Sequence, residues 1–313
     1  MKGRILYGIN NIYTVLVDGR TIECRIKGKV LKFDKSVYNP LAPGDFVEIE
    51  KYDISSGSGT IIERLTRKNE IVRWNNKKLS EQTFASNIDQ LLCVSSSDSP
   101  GFRPGFVDRI LVSAEKSRIP VIMVLNKIDI GISDAIKKNL SNYKHIGYRN
   151  FLCSALTGSG VKKLKKMMES KVSVLIGQSG VGKSSLLNRL FPGIDLKTGE
   201  ISRKFNRGRH TTNYSRMICC DNNTSIIDTP GIREFEVGGI SSGELDLYFP
   251  EMMRHKKKCT YTSCLHLDEP ECGIKKAVKA GRIFNYRYES YKKILYGIIK
   301  REKERFGKYN TYS

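Results

Sequence analysis

The chain has 313 residues, 39% hydrophobic and 27% charged, which is long enough for two or three domains with cores of their own and too apolar for a disordered polymer. Lys plus Arg number 54 against 32 acids, a formal net charge of +22; this excludes a polycationic partner and favours nucleic acid or an anionic membrane surface, unless the lysines only solvate the exterior. The longest apolar runs are strand-length, well short of the ~20 residues of a membrane span, and no signal peptide opens the chain. Eight unevenly spaced cysteines suit a reducing compartment, so a cytoplasmic monomer with no membrane partner is expected.

Residues 1–79 read as a small β-barrel. Tyr13, Val15, Val17 and then Ile22, Cys24, Ile26 alternate with mainly polar residues around Asp18-Gly19, the pattern of a hairpin of half-buried strands. A Pro43-Gly44-Asp45 turn leads into Phe46-Val47-Glu48-Ile49, and a Ser/Gly tip precedes another short strand at residues 60–62. Short strands with glycine turns in a basic segment predict an OB-fold barrel that binds RNA, although other small barrels fit the same pattern. The basic stretch of Arg64, Arg67, Lys68 and Arg73, with Trp74 beside it, reads either as an RNA contact or as a solvated linker.

From residue 80 to 239 short buried strands alternate with helices, at residues 90–94, 121–125, 150–153, 172–176 and 225–227, which predicts a mostly parallel α/β sheet. Gly177-Gln178-Ser179-Gly180-Val181-Gly182-Lys183-Ser184 matches the phosphate-binding loop and stands between a strand and a helix, as that loop requires. The glycines let backbone N–H groups wrap phosphates at a helix N-terminus, Lys183 is expected on the β and γ phosphates, Ser184 on Mg²⁺, and Ser185 continues the nucleotide-contacting run.

Guanine is selected by Asn126-Lys127-Ile128-Asp129, which follows the strand at 121–125. An Asp carboxylate only accepts, so Asp129 suits the two donors on one edge of guanine that adenine lacks. Asn126 is expected to tie the base loop to the phosphate loop, the Lys127 stem to cover the base, and Ser154 and Ala155, in Cys153-Ser154-Ala155-Leu156, to close its far side. Asp228-Thr229-Pro230-Gly231 follows the strand at 225–227, placing Asp228 toward Mg²⁺ through water and the Gly231 N–H toward the γ-phosphate. Between them lies Gly208-Arg209-His210-Thr211-Thr212, where Thr212, or Thr211 beside it, is expected to complete the Mg²⁺ shell.

Motif order is the distinctive feature. In Ras-like proteins the base-specificity motif follows DxxG; here Asn126 to Asp129 and Ser154-Ala155 precede the phosphate loop, so the nucleotide motifs are circularly permuted. The position just after DTPG, where Ras-type enzymes carry a water-orienting Gln, is Ile232, which cannot orient water. His210 is the nearest substitute, with a surface or RNA-contacting residue as the alternative.

Cys259-x₄-Cys264-x-His266-x₅-Cys272 places three thiolates and an imidazole within fourteen residues, a structural-zinc set with no open position for catalysis; reduced thiols are the alternative.

The permuted motifs, GRHTT, DTPGIREF and the following Cys/His cluster together resemble the bacterial small ribosomal subunit biogenesis GTPases of the RsgA (YjeQ) family, over what looks like the whole chain. The resemblance implies a multidomain α/β protein: an N-terminal OB-fold (1–79), a central permuted GTPase (80–239) and a mostly helical C-terminal zinc domain (240–313). It also implies binding to the 30S subunit and its 16S rRNA late in maturation, with GTP hydrolysed to GDP and phosphate in response. Asn213 stands where that family often has a third Thr, so the Mg²⁺-ligating Thr stays open. Two other readings share the motifs: a nucleotide-dependent RNA or protein adaptor with incidental hydrolysis, and a GTPase at a membrane surface, for which no lipidation motif is visible.

Overall fold

The computed structural model describes residues 1–27, 40–53, 58–193, 215–220, 223–229 and 234–309. Strands β1 (Lys2–Ile9), β2 (Ile12–Val17), β3 (Arg20–Ile26), β4 (Phe46–Asp53) and β5 (Ser58–Arg64) close into a barrel of order β1-β2-β3-β5-β4, an OB-like arrangement. Alternation sets its inside: in β2, Tyr13, Val15 and Val17 are buried while their neighbours are not. The β2–β3 hairpin turns through Asp18 and Gly19, both at positive φ (46° and 78°), the left-handed pair that a tight hairpin demands.

Strands β6 (Glu70–Asn75) and β7 (Ser80–Ser86) then pair with each other. This corrects the reading of the basic stretch as a solvated linker. Arg67 is not solvated: its guanidinium grips the Asp45 carboxylate twice, at 2.6 and 2.7 Å, and also reaches Glu70 and Thr83. Trp74 is buried under the Arg301 guanidinium, and Arg73 donates to Gln82. Buried Asp45 needs a cation, and Arg67 supplies it. The expected boundary at residue 79 falls in the turn of this hairpin.

The second sheet contains β8 (Gln90–Ser96), β9 (Val121–Asn126), β10 (Arg149–Leu152), β11 (Val172–Gly177), β12 (Arg216–Cys219) and β13 (Ser225–Asp228) in the order β10-β9-β8-β11-β13-β12. All neighbours run parallel except β12, which is antiparallel to β13. The central strands β8 and β11 are buried along their whole length, as expected for a parallel sheet covered on both faces. Helices α1 (Pro104–Lys116) and α2 (Asp134–Ile146) cover one face, while α3 (Val161–Met168) and α4 (Lys183–Leu190) cover the other. The α2 helix shows how local chemistry sets bounds. The Ser133 hydroxyl caps its start by accepting from the Ile136 N–H, and Gly147 at φ 126° ends it.

Helices α5 (Pro250–Lys256), α6 (Gly273–Lys279) and α7 (Asn285–Tyr309) form the C-terminal part. They dock on α1 through a fully buried charge network. Arg287 of α7 donates to Asp108 of α1 at 2.6 Å and to Glu251 of α5 at 2.6 and 3.2 Å, with its guanidinium over the Phe249 ring. Tyr143 of α2 completes it by donating to Asp108 at 2.5 Å.

Candidate nucleotide cleft and metal cluster

In an open parallel sheet, ligands collect at the carboxyl ends of strands where the connection direction reverses. Here β8 connects to β9 on one side while its other neighbour is β11, so the reversal lies between β8 and β11. Asn126 ends β9, Ser154 follows β10, Gly177 ends β11 and Asp228 ends β13, so all four motifs lie along one edge.

Asn126 is the knot of this edge. Its buried amide donates to the Val181 carbonyl of the phosphate loop at 3.0 Å and accepts from the Ala155 N–H at 3.0 Å, joining three motifs spread over 55 residues. The approach is close enough that a Cβ on Gly182, which sits at φ +89°, would stand 2.5 Å from the Asn126 amide nitrogen. Lys127, at φ 62°, lies over the loop after β8: its ammonium donates to the Ser99 carbonyl at 2.7 Å, and its own carbonyl accepts from the Ser97 hydroxyl at 2.6 Å. Asp129 is exposed and accepts from the buried Ser154 hydroxyl, which in turn accepts from the Thr157 N–H at 3.1 Å. An acceptor-only carboxylate is thus held at the rim, where the donor edge of a guanine can meet it.

At the phosphate end, Gly180 (φ +88°) and Gly182 shape the loop, Val181 anchors in the core, and Ser179 and Gly180 face solvent. Gln178 and Lys183 are buried; Ser184 is partly buried and Ser185 exposed. The Lys183 ammonium donates to the Gly177 and Gln178 carbonyls at 2.7 and 3.2 Å. Burial pulls the Lys183 pKa down, opposed by Asp228. Burial pushes the Asp228 carboxyl up to about 6, with Lys183 pulling it back. The Asp228 carboxylate and the Ser184 hydroxyl, each partly exposed at this edge, are hard oxygen donors of the kind that suit Mg²⁺. His210, Thr211, Thr212 and Gly231 lie outside the described residues, as do Asn213 and Ile232.

Cys259, Cys264, His266 and Cys272 bring their ligand atoms within 4.8 Å of one another. The His266 Nδ1 is 3.6 Å from the Cys259 sulfur and 3.4 Å from that of Cys272, and the two sulfurs are 3.9 Å apart. A tetrahedral ion with thiolates at ~2.3 Å and imidazole at ~2.0 Å requires sulfur–sulfur and sulfur–nitrogen edges of about 3.8 and 3.5 Å. The donor set therefore fits a metal. Burial pushes the Cys264 thiol up to about 12, so a thiolate there calls for a cation. Asp246 is a further member of this site, its carboxylate meeting the other His266 nitrogen at 3.1 Å and Lys256 at 2.7 Å. Burial alone would raise the Asp246 pKa; the His266 and Lys256 hydrogen bonds outweigh it and hold the carboxyl below its ordinary value. A carboxylate behind a ligating imidazole fixes the ring and its tautomer. Spacing carries no signal for such a residue, because it stands 20 positions before its partner.

Comparison with known proteins agrees with this geometry. The RsgA GTPase family model matches residues 64–238, and that of the RsgA N-terminal domain matches residues 2–61. A small ribosomal subunit biogenesis GTPase RsgA of Borreliella burgdorferi is 42% identical over 94% of this chain and 95% of its own length. One from Borrelia recurrentis is 41% identical over 97% of each. Among solved structures, YjeQ from Thermotoga maritima superposes with a TM-score of 0.72 at 32% identity, covering 95% of this chain and 98% of that one. YloQ, described as a circularly permuted GTPase, superposes at 0.68 and 28% identity over 96% and 95%. With guanine and phosphate loops on one sheet edge in permuted order and relatives along nearly its full length, the chain belongs to the RsgA GTPase family and is a GTP hydrolase.

Proposed function

We propose that this GTPase acts in late maturation of the small ribosomal (30S) subunit, hydrolysing GTP to GDP and phosphate when that particle, with its 16S rRNA, engages it. The observation that carries the guanine reading is the Asn126 bridge, which holds base loop and phosphate loop in one register. The particle comes from the relatives named for small-subunit biogenesis. Asn126, Lys127, Asp129, Ser154 and Ala155 hold guanine. Residues 177–185 wrap the phosphates, with Lys183 turning from its carbonyl contacts to the β and γ oxygens. Ser184, Thr212 and Asp228 would hold Mg²⁺, which when bound neutralises charge on the β and γ phosphates. Gly231 contacts the γ-phosphate. With Ile232 in the water-orienting position, His210 orients the attacking water once the particle has moved its loop. Cys259, Cys264, His266 and Cys272 hold one structural zinc, three thiolates and an imidazole leaving no open position.

The test is GTP turnover with purified small subunits, large subunits as control, for wild type and His210→Ala. Small subunits accelerate the wild type by orders of magnitude at low salt. The variant binds GTP normally and loses most of that gain, about 10²–10⁴-fold. Equal stimulated rates remove His210 from catalysis, and no response to small subunits removes the ribosomal role.

A further inference from the structure

A cavity of 670 Å³ opens along the amino ends of β8, β9, β10 and β11, on the sheet edge opposite the nucleotide loops. Its size lies within the ~300–1,000 Å³ usual for ligand sites. The edge from β10 to β11 spans three strand spacings, about 14 Å. Arg149 opens β10 at one end, Lys171 precedes β11 at the other, and Arg118 stands between them before β9. Pro120, Ile146 and Tyr148 provide an apolar floor, and Pro250 at the start of α5 closes one side.

The charges here are unequal in their commitments. Arg118 and Arg149 are exposed, and neither guanidinium has a hydrogen-bond or ion-pair partner among the described residues. Lys171 is pinned at the rim by the Met167 carbonyl at 3.0 Å and the Gln90 side chain at 3.4 Å. The two carboxylates of the lining are less available. Asp89 is engaged by Lys68 at 3.1 Å and by the Val172 N–H at 2.9 Å. Glu115 is half-buried, and burial raises its pKa. The Tyr148 hydroxyl is buried against the Glu115 carboxylate, which it occupies further. Two uncommitted guanidiniums over an apolar floor make a surface for a phosphate joined to a flat, partly apolar group. The groove lies within a strand edge, too narrow for a duplex, and unstacked bases are what proteins seat in such places.

We propose that this groove is a second nucleic-acid site, in which Arg118, Arg149 and Lys171 hold the phosphodiester backbone of single-stranded RNA and the Pro120–Tyr148 floor seats one base. This deepens the reading of the chain as a partner of ribosomal RNA and rests on it. Because Pro250 adjoins Glu251, a strand in the groove also lies against the joint that fixes α5 and α7 to α1.

The test uses the full chain and a short single-stranded RNA carrying 4-thiouridine, photocrosslinked and mapped by peptide mass, beside anisotropy titrations over a salt series. Crosslinks are expected in peptides containing residues 118–122 and 146–149, and they fall at least ten-fold in Arg118→Ala/Arg149→Ala. Losing two phosphate contacts makes the salt slope shallower by about 1.4, at ~0.7 per contact for a single strand, while Arg118→Lys/Arg149→Lys keeps most of it. Binding of a fluorescent GTP analogue stays unchanged in both variants. Crosslinks confined to other peptides, or an unaltered salt slope, overturn the site. So does displacement of the strand by adenosine monophosphate or by an acidic peptide at equal charge, since the groove would then take a free nucleotide or a protein. Small subunits that still accelerate GTP turnover under any of those outcomes leave the ribosomal function standing and remove only the groove.

Discussion

The guanine end of the nucleotide cleft and the Cys/His cluster both rest on short motifs, yet they hold together by opposite means. At the guanine end, three segments from distant parts of the chain are delivered by parallel strands and tied by neutral hydrogen bonds through one amide, Asn126. The cluster draws its ligands from fourteen consecutive residues with helices only on its flanks, and three cysteines and a histidine converge on one point. The sheet organises the first before any ligand arrives. The second depends on the ion, because partly buried thiols whose pKa is pushed up repel the thiolate state that binding needs.

If so, the two regions fail independently. The largest effect is expected from Cys264→Ser: structural zinc contributes ~10–16 kcal/mol of apparent binding free energy in isolated fingers, and much of that is folding energy. Metal analysis gives about one Zn²⁺ per wild-type chain and a large loss in the variant. Proteolysis then opens residues 257–273, while affinity for a GTP analogue changes little. A parallel collapse of GTP binding would show that the regions are not independent.

Asn126→Ala tests the other side. It strands the buried Val181 carbonyl, at about 1–3 kcal/mol, and the half-buried Ala155 N–H, so GTP affinity falls about ten-fold with zinc content unchanged. Unchanged affinity would mean that the sheet alone sets the loop register.

A sharper probe is Asp129→Asn, which turns an acceptor into a half-donor. Discrimination for GTP over XTP, whose 2-oxo group can accept from the new amide, falls by about 1–3 kcal/mol in competition titrations. A ratio left at the wild-type value would take Asp129 out of base selection.

The smallest effect is that of Asp246→Asn. Removing the charge behind His266 weakens zinc affinity about 10–100-fold, read by competition with a chelator, without loss of fold. Wild-type affinity in this variant would make the Asp246 carboxylate a partner of Lys256 alone.

What could be read from the sequence divides along the same line. The phosphate loop, Asn126 to Asp129 and the four metal ligands each fall within a short stretch of chain, because backbone wrapping of phosphate and closure of a small coordination sphere are local demands. The parallel strands were legible too, since β8 and β11 are apolar on both faces. Residues that act across the fold were not. Asp246 reaches His266 only after the chain has passed through α5, and Ser97 and Ser99 matter solely because Lys127 folds over them. Strands β6 and β7 were hidden for a different reason: Arg67 and Arg73 look solvated until Asp45 and Gln82 are seen opposite them. The first strand, β1, was missed in a run broken by Gly3, Arg4 and Gly8, where close packing rather than alternation decides.

The Arg287 network has a consequence for how such a molecule can be inherited. Asp108 belongs to the catalytic sheet's own α1, yet its counter-charge comes from α7, 179 residues later, with Glu251 of α5 sharing the same guanidinium. A chain ending before α5 would leave the buried Asp108 carboxylate with the Tyr143 hydroxyl but no counter-charge, and a C-terminal segment without its α1 would keep the Arg287–Glu251 pair but lose its second carboxylate. A C-terminal segment exchanged for another therefore has to present an arginine to Asp108 at the same place, which ties the sequence of α7 to that of α1.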